Sequence, residues 1–109
     1  MAQVADPEPT YTVLPNSGFT ATVDVFQTAN NNAAKTVDGL TTTYWESTYS
    51  PLVNLPHWVK IDMLSPRSID GIYIVDRANL GNSIKVCTIS TSTDGTTFTQ
   101  QGGTFALPY

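Results

Sequence analysis

Phe19-Thr20-Ala21-Thr22-Val23-Asp24-Val25-Phe26 places Phe19, Ala21, Val23 and Val25 at alternate positions, with Thr20, Thr22 and Asp24 between them. A period of 2 is that of a strand, whereas an amphipathic helix repeats every 3.6 residues. Further along, Val59, Ile61 and Met63 alternate with Trp58, Lys60 and Asp62, and Pro56 and Pro66 bracket that run. Ile69 to Val75 is apolar on both faces through Ile69, Ile72, Tyr73, Ile74 and Val75, the pattern of a central strand buried between layers. Ile84 to Thr91 is rich in β-branched residues, and Asp94-Gly95 precedes Thr97, Phe98 and Thr99, which predicts a hairpin. No capped amphipathic stretch of about 11 residues occurs, so helix is limited to one short turn over Asn32 to Val37. The expected fold is therefore all-β, an antiparallel β-sandwich or jelly roll whose end loops carry the function.

At 109 residues the chain has room for one core. Residues 1–17, with Asp6, Pro7, Glu8 and Pro9, read as an extended linker or an appended end, and residues 18–109 as the domain. Charged residues are 13% of the total, against about 25% in an average globular domain. Five Lys and Arg against nine Asp and Glu give a net charge of −4, which offers no footing for a polyphosphate backbone or an anionic membrane. Nucleic acid is excluded on that ground. The single cysteine, Cys87, excludes an intrachain disulfide framework and a multi-cysteine metal cluster, and is expected to be a buried, inert thiol. No apolar run reaches the roughly 18 residues of a membrane span, and Met1 to Thr10 lacks the basic-then-apolar order of a signal peptide.

Four segments in order resemble the discoidin or coagulation factor 5/8 type C family, a galactose-binding-like group that includes many carbohydrate-binding modules. They are Ala34-Lys35-Thr36-Val37-Asp38-Gly39 through Trp45-Glu46-Ser47, Pro56-His57-Trp58-Val59-Lys60-Ile61-Asp62, Ser68 to Ile74, and Ile84-Lys85 through Ser92-Thr93-Asp94-Gly95-Thr96-Thr97-Phe98. Phe98 stands where Trp is usual. Four co-linear motifs are far more specific than one short pattern. The resemblance implies a non-catalytic carbohydrate-binding or adhesion module of a secreted or cell-surface protein, part of a larger polypeptide with other domains. The alternative is a protein-interaction or structural module of the same fold without a sugar site. Family members run on through closing strands and a final acidic residue. The expectation here is a sandwich that lacks those strands or takes them from another chain, leaving unpaired edges.

Carried over residue by residue, the resemblance implies a structural calcium held by the Asp38 carboxylate and oxygens of Lys35, Leu40 and Thr43, although Leu40 replaces the usual Asp or Asn. The residues themselves equally allow a tight Asp38-Gly39 turn. The resemblance also places a galactoside-like glycan against Glu46, Arg77, Asn79 and Asn82. Arg offers a planar fork of donors, Asn a donor and an acceptor, and Glu an acceptor, which together can hold vicinal hydroxyls. Tyr49 adds a stacking face. Against this, Arg77 can be absorbed in a salt bridge to Asp76 or Glu46, and Asn79 to Asn82 can be a plain loop. Trp45 and Trp58 are expected in the core, and His57 on the surface at a strand start. The loop from Thr48 to Leu55 carries Tyr49, Leu52, Val53 and Leu55 without flanking basic residues, which disfavours lipid binding. No spaced nucleophile and base are present, so no enzyme is expected.

Overall fold

The structure, a computed structural model, describes residues 13–16, 18–77 and 83–107. Within them the chain forms four strands, β1 (Thr20–Val23), β2 (Val59–Asp62), β3 (Val86–Thr91) and β4 (Thr99–Ala106), with two 3-10 turns at Ala29–Asn31 and Ala33–Thr36. The fold is all-β and antiparallel. β1 pairs with β2 from Thr20 opposite Asp62 to Val23 opposite Val59, and β3 pairs with β4 from Val86 opposite Ala106 to Thr91 opposite Thr99. The alternation starting at Phe19 thus becomes a strand that ends at Val23, because from Asp24 onward the backbone and side chains turn to serve the loop cluster described below.

The hairpin forms as expected, but with residues 92–98 between its strands rather than a two-residue turn. The reason is Asp94. Its Oδ1 accepts the N–H groups of Thr96 and Thr97, each at 2.8 Å, and the hydroxyl of Ser92 at 2.8 Å, so a wider loop satisfies more donors than a tight turn offers. The Thr97 and Thr96 amides, followed by the Ser92 hydroxyl, hold the Asp94 carboxyl well below the usual carboxylate range. In β4 the four steps from Gln101 to Phe105 span the same ladder length as the two steps from Cys87 to Ile89. This bulge needs Gly102, which adopts φ +71° and whose added Cβ would lie 3.0 Å from the Phe105 ring.

Several expectations are corrected here. The stretch from Ile69 to Val75 is not a central buried strand: it joins no ladder, Ile72 is 53% exposed and Tyr73 82%. Extended apolar backbone becomes a strand only where a neighbour supplies complementary N–H and C=O groups, and none does so among the described residues. Trp58 is 52% exposed rather than packed in a core, because no second layer covers the β1–β2 sheet among the described residues. Trp45 is half-buried, as is Cys87, which faces Phe105 across the β3–β4 ladder instead of being enclosed.

Candidate functional site

The densest organisation lies between Asp24 and Trp58. Here polar side chains reach across 20 or more residues to backbone groups. The Trp45 Nε1–H donates to the Val25 carbonyl at 2.9 Å, and the Thr48 hydroxyl donates to the Phe26 carbonyl at 3.0 Å. Gln27 does double service. Its backbone N–H donates to the Glu46 carbonyl at 2.9 Å, while its side-chain Oε1 accepts the N–H groups of Tyr49 and Ser50 at 2.8 and 3.1 Å. The Glu46 N–H donates to the Asn31 carbonyl at 3.1 Å. Glu46 and the loop that follows it are therefore held from one support, the segment 25–31.

Glu46 meets Arg77 directly, in the ion pair that the sequence set against a sugar site. Arg77 Nη1 donates to Glu46 Oε2 at 3.1 Å, and the guanidinium carbon lies 3.8 Å from the centre of the Tyr44 ring. Both charged side chains are about three-quarters shielded, at 26% and 21% exposed for Arg77 and Glu46. One carboxylate bond and one aromatic face fix the plane of a guanidinium that would otherwise sample many rotamers, which lowers the ordering cost of using its remaining donors. Asp76 anchors the other side: its carboxylate accepts the Arg77 N–H at 3.0 Å and the Ile84 N–H at 2.7 Å, tying the two ends of the segment between them. Asn79 and Asn82 lie outside the described residues.

The loop that follows Glu46 lines a cavity of about 350 Å³, with Thr48, Tyr49, Leu52, Val53, Leu55 and His57 among its walls. Tyr49 stands here, 59% exposed, rather than against the Arg77 guanidinium, where Tyr44 takes the aromatic position. The floor is His57, and its expected surface position is corrected: its side chain is only 7% exposed. Nδ1 lies 2.8 Å from Asp24 Oδ2 and Nε2 lies 3.0 Å from the Val53 carbonyl. Partial burial pushes the Asp24 carboxyl up, but the hydrogen bond with His57 and that from the Trp58 N–H outweigh it and hold the group below its ordinary value. Composition offered no signal for Asp24, Gln27 or Tyr44, since each acts through a partner distant in sequence. Only Tyr44, two positions before Glu46 in the quoted motif, carried a signal that could have found it.

Of the four residues expected to hold calcium, Asp38, Leu40 and Thr43 close a hydrogen-bonded turn, while Lys35 lies in the 3-10 turn Ala33–Thr36. Asp38 Oδ1 accepts the Leu40 N–H at 2.9 Å and Oδ2 accepts the Thr43 hydroxyl at 2.5 Å, while Leu40 is 58% exposed. The Thr43 hydroxyl first, then the Leu40 amide, hold the Asp38 carboxyl below its usual range, with the Lys35 charge adding to them. Calcium takes six to eight oxygens at 2.3 to 2.6 Å, roughly. The loop brings one carboxylate, and both of its oxygens accept protein donors; among the described residues no group of three or more His, Cys, Asp or Glu converges.

A family model for the F5/8 type C domain matches residues 18–105, about four-fifths of the chain. The chain belongs to that family. F5/8 type C domains are generally non-catalytic modules that bind carbohydrate or protein, and they typically occur in extracellular or cell-surface proteins. No curated protein and no solved structure gives a significant match. Family membership covers the motif around Asp38 and Trp45 as well as the hairpin, so the geometry above belongs to the F5/8 type C domain and not to an appended segment.

Proposed function

We propose that this F5/8 type C domain is a non-catalytic glycan-binding module of a secreted or cell-surface protein, binding a galactoside-like sugar at the Arg77–Glu46 cluster. The observation that carries the reading is the fixed guanidinium, clamped between the Glu46 carboxylate and the Tyr44 ring. A planar donor fork held in one orientation suits paired hydroxyls on a sugar ring, and Tyr49 and the cavity beside it offer an apolar surface for the C–H face of a pyranose. Asn79 and Asn82 stay in the proposal as further donors and acceptors. Calcium has no step in this reading; the Asp38 turn braces the loop that delivers Tyr44 and Glu46.

A shallow polar site excludes little water, so affinity in the millimolar to micromolar range is expected, about 4 to 8 kcal/mol. A broad glycan screen with wild type and Arg77→Ala tests it. Binding by wild type and its loss in the variant, with an unchanged circular dichroism spectrum, is the expected outcome. Equal binding by both proteins would move the site elsewhere. The second reading, a protein-interaction module, is favoured by one observation: Ile72, Tyr73 and Trp58 present apolar surface to solvent. A screen without any glycan hit would turn the argument toward it.

A further inference from the structure

We infer that His57 is a protonated clip that fastens the cavity-lining loop to the end of β1, and that the loop is released as the imidazole loses its proton. The inference rests on two contacts and on burial. Nδ1 of the imidazole faces the Asp24 carboxylate at 2.8 Å, and Nε2 faces the Val53 carbonyl at 3.0 Å. Both partners only accept hydrogen bonds. A neutral imidazole carries one N–H, so whichever tautomer it adopts, its other nitrogen turns a lone pair toward an oxygen. Only the imidazolium donates at both sites. With its side chain 7% exposed, the ring has little access to water that would relieve such an opposition.

The surroundings leave one source of compensating charge. Asp24, from the end of β1, is the charged group within ion-pair distance of the imidazole among the described residues. β2 contributes the Trp58 N–H, which donates to the other oxygen of Asp24 at 3.3 Å. The loop contributes the Val53 carbonyl, and Tyr49 is the titratable side chain on the cavity wall. Because the Asp24 carboxyl is held below its ordinary value, it stays ionised through the range in which an imidazole changes charge. The clip is therefore closed on the acid side of the imidazole transition and opens as pH rises through it. Its lower limit is reached only where Asp24 itself takes up a proton.

The loop fastened in this way also lines the cavity, through Tyr49, Leu52, Val53 and Leu55. Opening removes the tie between Val53 and the cavity floor, so the cavity should be better formed in mildly acidic than in mildly alkaline solution. The clip does not depend on the glycan reading, and neither does its test. His57 is the sole histidine in the chain, so any imidazole signal in an NMR spectrum belongs to it. Amide exchange at Tyr49, Ser50 and Val53 is measured between about pH 5 and 8 for wild type and His57→Gln. The expected result is about tenfold or greater protection of wild type over the variant at the acid end, falling toward none at the alkaline end. A ratio that stays constant with pH would overturn the clip, leaving packing alone. If His57→Gln does not fold, ring nitrogen shifts of the wild type decide. Two protonated nitrogens while the loop is protected support the inference, and a single neutral tautomer in the protected state refutes it.

Discussion

The segment from Asp24 to Trp58 and the segment from Met63 to Val75 are neighbours in sequence but are held in different ways. In the first, Trp45, Thr48, Gln27 and Asp24 each send a side chain to a backbone group 20 or more residues away. In the second, Arg67 donates to the Met63 carbonyl at 3.4 Å within the segment and lies over the Phe19 ring at 5.5 Å, and the Leu64 N–H donates to Asp62 Oδ1 at 2.8 Å, only two residues away. Ile69, Ile72, Tyr73, Ile74 and Val75 are all exposed. Directional polar bonds can order a loop from within the chain that makes them. Apolar side chains gain free energy only when something covers them, at about 25 cal/mol per Å² removed from water. The polar segment is self-sufficient in this structure, and the apolar one is not.

That contrast can be broken by substitution. The largest stability effect is expected for Trp45→Phe, which leaves the half-buried Val25 carbonyl without its donor and removes part of the indole surface. A loss on the order of 2 kcal/mol in denaturant unfolding is the outcome to look for, and a change near zero would mean that the long-range bonds do not order the segment. Next comes Gln27→Ala, which deletes the acceptor shared by Tyr49 and Ser50. Those two amides should exchange faster than in wild type by about fivefold or more, while the hairpin amides of β3 and β4 stay unchanged. Asp38→Ala should lower the melting temperature to the same extent with added calcium and with chelator, since the turn is closed by hydrogen bonds. A calcium-dependent difference would support a calcium held by this loop.

A pH experiment sharpens the comparison on the hairpin side. The Asp94 carboxyl is held below its ordinary range, so the order it lends to residues 92–98 is present above the unfolded-state value and is lost as pH falls through the folded one. Amides of Thr96 and Thr97 should therefore stay protected in mild acid and lose protection only in strong acid, and Asp94→Asn should abolish that dependence. The smallest effect is expected for Tyr73→Thr. With the ring 82% exposed, stability should move by less than about 0.5 kcal/mol. A larger loss would show that this segment is covered in solution, and would favour the protein-interaction reading.

Much of the site was legible in the sequence as residue types without partners. Glu46 and Arg77 were singled out for their donors and acceptors, and they meet at 3.1 Å. Tyr44 is not legible as the partner of Arg77, because spacing along a loop does not say which ring a distant guanidinium will reach. His57 was read as a surface residue because Asp24, the group that encloses it, lies 33 positions earlier. The strand run at Ile69 to Val75 was read as central because apolarity on both faces is the pattern of a covered strand, but that pattern does not supply the cover.

What the sequence determined by itself is local. Alternation at Phe19 to Val25 and at Trp58 to Met63 set antiparallel strands, Ser92 and Asp94 set the turn of the hairpin, and the scarcity of helix-forming runs left only single 3-10 turns. These follow from interactions between residues a few positions apart, whose energies are present wherever the segment lies. Only the tertiary structure decided that Asp24 would face His57 and that Arg77 would stack on Tyr44 and pair with Glu46. Such choices depend on which groups are brought within about 3 Å of each other, and a hydrogen bond or ion pair loses its strength over a displacement of an ångström.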